Sequence, residues 1–238
     1  MCANTMITEK LKAEILTHAK TSTSEVCGLI VVKKRSKLYV TCRNIAHGMN
    51  EFEIHPEDYA SAEDAGDIIA VVHSHPKTNP NPSQADLIGI ELTKLTWVIC
   101  NPLTEQFTIT EPSGYLAPYV GREWVHGVMD CYSIWQDWYK RELGIELKNY
   151  PRQHEWWLKG ENLYLDNLAD GGMVEVTELQ PNDIILMKVT SSVPNHVVIY
   201  LGDNIILHHV MGRMSCKDVY GGYWRHITEK ILRHKTLC

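Results

Sequence analysis

The segment from Ile68 to Leu92 places the strongest constraint on how this chain folds, because a strand, a loop and a helix are predicted to follow one another within it. Ile68–Val72 is a continuous apolar run, which is typical of a strand buried on both faces. The chain then passes His73 and His75, crosses a Pro- and Asn-rich loop at Pro76–Pro82, and continues into a helix predicted over Ser83–Leu92. We therefore expect a buried strand that delivers polar side chains to the start of a helix.

Two histidines and an aspartate in this segment form a candidate metal site. Residues two apart in an extended chain point to the same side, so His73 and His75 can converge on one ion. Asp86 lies about one turn inside the helix, and the loop is long enough to fold the helix start back onto the histidines. Two nitrogens, one carboxylate oxygen and an open fourth position suit a catalytic zinc ion. A simpler interpretation stays open, in which Ser83 and Asp86 form a capping box that only satisfies helix N–H groups.

The spacing His-x-His, seven residues, Ser, two residues, Asp resembles the motif of the JAMM (MPN+) metalloprotease family, and the resemblance covers Met6 to Thr110. It implies a zinc-dependent peptide hydrolase. The zinc ligands that it implies are His73, His75 and Asp86. It also implies that Glu25, in the stretch EVCGLIV, is the general base and that Ser83 stabilises the oxyanion of the tetrahedral intermediate. Without the resemblance, Glu25 is one more acidic residue before a strand.

A second candidate site begins at Cys131, near the start of a helix predicted over about Asp130 to Leu143. The positive end of the helix dipole favours the thiolate form of a cysteine in this position. Further along, a hairpin that carries histidines is predicted over residues 196–210. A three-residue loop places His196 and His208 on one face as diagonal neighbours, whereas a two-residue turn selects His209 instead. A buried free cysteine with unrelated histidines is the simpler alternative.

The segments DC, LQPNDIILM and HVVIYLGDNIILH resemble the NlpC/P60 family of papain-like cysteine peptidases. The resemblance covers about residues 119–209 and implies a triad of Cys131 as nucleophile, His196 as base and His208 as the third polar residue. It also implies that Tyr119 lies near the nucleophile. The family's usual DCSG is DCYS here, so Tyr132 and Ser133 follow the cysteine, and the substrate cleft is expected to differ in shape from the family's. Members typically cut the stem peptides of bacterial peptidoglycan, so peptidoglycan or a peptide is the expected substrate.

Length and composition are compatible with two domains. The chain has 238 residues, of which 44% are apolar, and this is enough for a core in each half. Glu111–Pro118 contains two prolines and a glycine without periodicity, so we place the boundary there and predict domains at 1–112 and 113–238. The expected fold class is α+β, with a JAMM-like α/β layered domain first and a papain-like domain second. Other predicted elements are helices over 8–19 and 56–65 and strands over 27–32, 38–42, 95–99, 107–110 and 183–188, and residues 150–173 are predicted to be irregular.

Charge and cysteine content limit the partners and the compartment. The net charge is −6 and there is no basic stripe, which argues against nucleic acid as the main partner. The longest apolar runs are far too short to span a bilayer, and the first residues lack the apolar core of a signal peptide. Seven cysteines without paired spacing indicate reduced thiols in a cytosol.

The pairing of the two peptidase-like halves resembles a family of tail tip assembly proteins of long-tailed phages, and segments such as FEIHPEDY and YPRQHEWW support this. The resemblance implies other phage tail tip proteins as partners. The location that it implies is the host cytoplasm during assembly, or the tail tip of the virion. Three functions follow as alternatives: a peptidoglycan hydrolase, a zinc-dependent protease that processes tail proteins during assembly, and a structural tail tip chaperone in which both sites are vestigial.

Overall fold

The computed structural model describes residues 6–238, which divide into two compact units, one ending at Leu116 and one spanning Ala117–Cys238. Each unit has its own sheet and its own buried apolar clusters. The mixed α+β class expected from the sequence is confirmed. Among the described residues, no helix has the length and apolar character needed to cross a membrane.

The N-terminal unit is built on a five-stranded sheet. Its elements are α1 (Glu9–Ala19), β1 (Cys27–Lys33), β2 (Ser36–Cys42), α2 (Pro56–Ala65), β3 (Asp67–Ser74), α3 (Gln84–Thr93), β4 (Thr96–Asn101) and β5 (Gln106–Thr110). The strand order is β2-β1-β3-β4-β5, and β3 and β4 form the parallel pair in an otherwise antiparallel sheet. A parallel pair needs a crossover connection, and α3 supplies it.

Helices cover both faces of this sheet, because successive side chains of a strand alternate between faces. Val72 and Val98 share a buried cluster with Leu11 and Ile15 of α1. The opposite face packs against α2 and α3, and its cluster includes Leu29, Val71, Ala62 and Ile90. The three layers bring the end of β3 close to the start of α3, and this is where the first site lies.

The C-terminal unit contains a six-stranded antiparallel sheet of order β10-β9-β8-β7-β11-β6. Its elements are α4 (Cys131–Leu143), α5 (Leu163–Asp166), β6 (Met173–Glu175), β7 (Ile184–Met187), β8 (His196–Gly202), β9 (Ile205–His208), β10 (Cys216–Val219), α6 (Gly222–His226) and β11 (Thr228–His234), with single 3₁₀ turns at Trp156–Lys159 and Lys235–Leu237. The stretch expected to be irregular therefore holds one 3₁₀ turn and the short helix α5.

The two faces of this second sheet carry different side chains. α4 buries Ile134 and Trp135 against the face that carries Val197 and Ile199. The other face carries a cluster of Ile185, Met187, Val198, Ile206 and Tyr220, against which Trp224 packs. Gly144 ends α4 in the left-handed region, with φ of 67°, as expected for a glycine in that position.

Candidate functional sites

The end of β3 and the first turn of α3 bring His73, His75 and Asp86 together. The Nε2 atoms of His73 and His75 lie 3.0 Å apart. The Asp86 carboxylate is 3.3 Å from His73 Nε2 through Oδ1, and 3.4 Å from His75 Nε2 through Oδ2. All three side chains are buried. The structure thus places the three residues singled out as ligands in one compact triangle.

The dimensions of this triangle fit a zinc ion. Zinc binds imidazole nitrogen and carboxylate oxygen at about 2.0–2.2 Å in tetrahedral geometry, which separates neighbouring ligand atoms by roughly 3.3 Å. The two histidine Nε2 atoms lie 3.0 Å apart, and each has a different Asp86 oxygen near it, Oδ1 at 3.3 Å from His73 and Oδ2 at 3.4 Å from His75. Two imidazoles and one carboxylate are also a ligand set of catalytic zinc sites, in which a fourth position stays open.

Neighbouring groups hold both imidazole rings in place. His75 Nδ1 lies 3.0 Å from the carbonyl oxygen of Asn79, and because a carbonyl only accepts, Nδ1 carries a proton and Nε2 is the nitrogen turned towards His73 and Asp86. The ring of His73 stacks on Phe52, with centroids 4.5 Å apart, and meets Trp97 edge-on at 5.5 Å. The orientation of the rings therefore follows from packing and from the loop after β3.

Ser83 and Asp86 also form the capping box of the simpler interpretation. Ser83 Oγ accepts the Asp86 N–H at 3.1 Å, and Asp86 Oδ2 accepts the Ser83 N–H at 2.7 Å. One carboxylate therefore caps α3 and faces both histidines, so its role as a cap does not exclude a role as a metal ligand. The Ser83 hydroxyl keeps its own proton to donate, and its role towards an oxyanion stays a prediction.

Glu25 lies beside the histidine pair. Its Oε1 is 3.8 Å from His75 Nε2, farther than the Asp86 oxygens. The potential ligand atoms of Glu25 and the two histidines all lie within 4.8 Å of one another. Val26 N–H donates to Ser74 Oγ at 3.0 Å, which ties the start of β1 to the end of β3 and so positions Glu25.

The acidic groups of this site differ in protonation. Burial raises the pKa of Glu25 to about 7, although the charge of His75 acts to lower it. Burial would also raise the pKa of Asp86, but hydrogen bonds and charge from the histidines hold it far below its usual range. Burial lowers the pKa of His73, whereas the bonds of His75 with Asp86 and a backbone carbonyl outweigh burial and raise its pKa. Asp86 is therefore ionised, and Glu25 can exchange a proton near neutral pH.

In the C-terminal unit, α4 begins at Cys131 and a buried polar network fixes this helix start. Asp130 is the N-cap, and its Oδ1 accepts the N–H groups of Tyr132 and Ser133 at 3.0 and 2.9 Å. Ser133 Oγ accepts the Asp130 N–H at 2.7 Å, which completes a capping box. Arg152 forms an ion pair of 2.6 Å with Asp130 Oδ2. The position of the thiol follows from this network.

The thiol of Cys131 is buried and contacts Tyr164, whose hydroxyl lies 3.3 Å from Sγ. Burial raises the pKa of Cys131 to about 11, the Asp130 charge adds to this, and the bond with Tyr164 and the charge of Arg152 act in the other direction. The expectation of a thiolate is therefore wrong for this conformation, because desolvation of the sulfur outweighs the helix end. The sulfur is a protonated thiol at neutral pH.

The histidine hairpin has the register expected for a three-residue loop, although its turn has a different form. Val198 is opposite His208 and Gly202 is opposite Ile205, with an extra residue bulged out just before Gly202. A two-residue turn alone would place His209 on the same face as His196, and the extra residue in the bulge places His208 there instead. His196 and His208 therefore share a face, and His196 Nε2 lies 3.3 Å from His208 Nδ1.

Cys131 and His196 border one cavity, but the thiol and the histidine pair bond to different partners. α4 covers the face of the sheet that carries Val197, whereas His196 and His208 lie on the opposite face, where the Trp224 ring is 4.7 Å from that of His208. Cys131 and His196 both line a cavity of about 240 Å³. The other walls of the cavity are largely aromatic or charged, and include Trp124, Trp156, Trp157, Arg152 and Glu155. Burial lowers the pKa of His196 to about 3 and that of His208 to about 4, so both rings are neutral at pH 7.

Tyr119 does not lie near the nucleophile, which corrects the expectation from the resemblance. Its hydroxyl donates to Glu142 at 2.8 Å, and its ring lies 5.0 Å from that of Trp138. Both partners belong to the C-terminal half of α4, whereas Cys131 is the first residue of that helix. Tyr164 occupies the place beside the thiol, and it comes from a segment without periodicity that gave no sequence signal.

Sequence reasoning also missed Cys216. Its Sγ lies 3.5 Å from Nε2 of His208, and it is directly opposite His208 in the pairing of β9 with β10. β10 has four residues with little alternation, so the sequence did not predict this strand. Only its pairing with β9 brings the second thiol to the histidines.

Comparisons with known proteins match both halves of the chain. Residues 8–111 match the family of prokaryotic homologs of the JAB domain, and residues 119–233 match the NlpC/P60 family. The tail tip assembly protein K of Escherichia phage N15 is 36% identical, over 93% of this chain and 93% of that protein. The protein of the same name from Escherichia phage lambda is 38% identical, over 76% of this chain and 88% of that protein. A desampylase of Pyrococcus furiosus is 32% identical, over 37% of this chain and 66% of that protein.

Proposed function

This chain belongs to the tail tip assembly protein K family, and on that premise we propose that it works with other tail tip proteins in the host cell and carries two peptide-cleaving sites. The first is a zinc-dependent peptidase in the N-terminal unit. The second is a cysteine endopeptidase of peptidoglycan stem peptides in the C-terminal unit. We also propose that the protein can remain at the tail tip of the virion.

The observation that carries the first proposal is the buried cluster of His73, His75 and Asp86, in which the two Nε2 atoms lie 3.0 Å apart and each has an Asp86 oxygen at 3.3 or 3.4 Å. When bound, zinc supplies Lewis acidity towards the carbonyl of the scissile bond. Glu25, with a pKa of about 7, takes a proton from the attacking water and gives it to the leaving amine. Ser83 donates its hydroxyl proton to the oxygen on which negative charge develops.

Zinc content tests this proposal directly. The purified full-length protein is expected to bind about one zinc ion per chain, and His73→Ala and Asp86→Asn are expected to lose it. His47→Ala is the matched control, because it removes an exposed histidine of the same unit. Wild-type protein that stays free of zinc after dialysis against the metal would refute the site. Unchanged zinc in Asp86→Asn would refute the ligand set.

The substrate of this first site is proposed to be a tail protein that is processed during assembly. A shortened tail protein is expected in wild-type particles, and the same protein is expected at full length when the phage carries Glu25→Gln. Identical band patterns for the two phages would rule out processing by this site, even if zinc is bound.

The observation that carries the second proposal is the cavity that both Cys131 and His196 line. For cleavage, the Cys131 proton passes to His196 as sulfur attacks the carbonyl carbon, and the proton then goes to the leaving amine as the C–N bond breaks. Water hydrolyses the resulting thioester and regenerates the thiol. Because the thiol bonds to Tyr164 in the described conformation, the proposed cleavage requires the sulfur to exchange this partner for His196.

Labelled peptidoglycan tests the second proposal. Wild-type protein is expected to release labelled fragments, Cys131→Ala is expected to release none, and Cys238→Ala is the control, because it removes an exposed thiol of the same unit. Equal release by wild type and Cys131→Ala would contradict the proposal.

The thiol–tyrosine contact favours one alternative, a structural tail tip chaperone without turnover at Cys131. This alternative predicts that phage carrying both His73→Ala and Cys131→Ala still yields infective particles in normal numbers. A loss of infectivity with intact particle assembly would reject it in favour of catalysis.

A further inference from the structure

Three neighbouring strands place a row of hydrogen-bonding side chains on one face of the C-terminal sheet. His196 begins β8, His208 ends β9 and Cys216 begins β10. His196 Nε2 lies 3.3 Å from His208 Nδ1, and His208 Nε2 lies 3.5 Å from Cys216 Sγ. Both ring nitrogens of His208 therefore have a partner, one on each side.

The protons in this row can be arranged in two ways. A neutral imidazole carries one N–H, and a thiol both donates and accepts weakly. In the first arrangement, Cys216 donates to His208 Nε2, His208 Nδ1 donates to His196 Nε2, and the proton of His196 is on Nδ1. In the second, His196 Nε2 donates to His208 Nδ1, and His208 Nε2 donates to the sulfur. Only the second leaves Nδ1 of His196 without a proton.

The charges around His208 favour the second arrangement. Asp218 lies two residues after Cys216 on the same face of β10, and its charge favours positive charge on the His208 ring, whereas Arg213 opposes it. Trp224 Nε1 donates to Asp218 Oδ2 at 3.0 Å, which holds this carboxylate in place. A carboxylate on the Cys216 side of the ring stabilises an N–H at the nitrogen that faces that side.

We propose that Cys216 is a positioning residue, whose sulfur accepts the Nε2–H of His208 and thereby keeps the proton of His196 on Nε2 and its Nδ1 free. Because Nε2 of His196 is taken by His208, Nδ1 is the nitrogen that can accept a proton from a thiol in the cavity. The consequence for cleavage rests on the proposed peptidase function. The tautomer of the two rings does not depend on it.

Nuclear magnetic resonance of the full chain labelled with ¹⁵N in the histidine rings tests the proposal, because ring ¹⁵N shifts distinguish the two tautomers. His196→Asn and His208→Asn assign the signals. Wild type is expected to show the His196 proton on Nε2. Cys216→Ala removes the acceptor and is expected to move His196 towards the Nδ1–H form. Cys216→Ser keeps an acceptor and is expected to restore the wild-type form, and Cys238→Ala should leave it unchanged.

Two outcomes would overturn the proposal: a His196 proton on Nδ1 in the wild type, or the same tautomer in wild type and in folded Cys216→Ala. Peptide cleavage is measured in parallel, and its kcat is expected to fall roughly tenfold in Cys216→Ala with little change in KM, as for loss of a group that orients an imidazole. If Cys216→Ala changes the tautomer of His196 but wild type cleaves no peptide, the positioning role of Cys216 stands and the proposed peptidase function fails. If wild type cleaves peptide but Cys216→Ala does not change the tautomer, the peptidase function stands and the positioning role of Cys216 fails.

Discussion

Single side chains in this protein meet more than one demand, and Asp86 is the clearest case. It closes the capping box of α3 through Oδ2 and faces both imidazoles of the first site. A carboxylate that is also a helix cap has its position set by the backbone, which would lower the cost of ordering a metal site at this place. The motif spacing Ser-x-x-Asp is therefore compatible with a structural and a chemical role in the same molecule.

Tyr164 is expected to tune the thiol that it contacts. A hydroxyl that donates to sulfur stabilises thiolate more than thiol, so Tyr164→Phe should raise the pKa of Cys131 further above its value of about 11. The expected shift is about one unit, since one hydrogen bond contributes roughly 1 kcal/mol. The pH dependence of Cys131 alkylation, followed by mass spectrometry of its peptide, measures the shift. Tyr139→Phe is the control, because that hydroxyl bonds to the Asn182 carbonyl instead, and an equal change in both variants would contradict the prediction.

Buried neutral histidines should make the C-terminal unit sensitive to acid. The folded-state pKa values of His196, His208 and His209 are lowered by burial to about 3, 4 and 4, below the unfolded value of about 6.5. Between these values the unfolded chain binds more protons, so stability falls as pH drops from about 6.5 towards 4. Each buried ring accounts for about 2 kcal/mol by pH 5.

His209→Gln isolates one of these groups. Its urea midpoint is expected to fall less steeply between pH 7 and pH 5 than that of wild type. His226→Gln changes an exposed histidine and should keep the wild-type slope. A wild-type midpoint that does not change over this range would contradict the assignment of neutral buried rings.

Among the elements, α3 approaches its sheet so closely that glycine is the residue that fits best at one position. A Cβ at Gly89 would overlap the Trp97 ring, which in turn meets His73 edge-on. In an exposed helix, Gly→Ala gains about 1 kcal/mol, but overpacking here costs about 1–3 kcal/mol. Gly89→Ala is therefore expected to lower the free energy of unfolding by about 1 kcal/mol. Urea unfolding measures this change. Ala13→Gly, in the exposed part of α1, is the control that measures the difference in helix propensity alone. A Gly89→Ala variant that is more stable than wild type would show that α3 does not pack tightly against Trp97.

The sequence predicted the elements that have a strong period or a clear punctuating residue. The amino-acid sequence predicts three such features: the apolar face of α1, the buried apolar run of β3 and the end of α4 at Gly144. The bulge before Gly202 was not, because nothing local distinguishes a two-residue turn with a bulge from a three-residue loop. The histidines therefore have the register predicted for a three-residue loop, but a two-residue turn with a bulge produces it.

The contacts around Cys131 were harder to predict than the first site, for a physical reason. His73, His75 and Asp86 lie within one strand–loop–helix segment, so local geometry determines their convergence. Cys131, Tyr164, His196 and Cys216 come from separate elements, and their contacts depend on packing over long sequence distances. The contact of the thiol with Tyr164 is set by that packing, and so is the contact of Tyr119 with Glu142.

At the scale of the whole molecule, two units with separate sheets and cores are expected to unfold as separate cooperative steps. Calorimetry of the zinc-loaded full chain should show two transitions. Chelation should lower the Tm of one of them by roughly 10 °C, since removing a ligand at about 100 times its Kd costs about 2.7 kcal/mol in a domain of this size. Gly89→Ala should lower the same transition and leave the other unchanged. A single transition that chelation and Gly89→Ala both shift as a whole would show that the units fold as one, and the two sites could then no longer be treated as chemically independent.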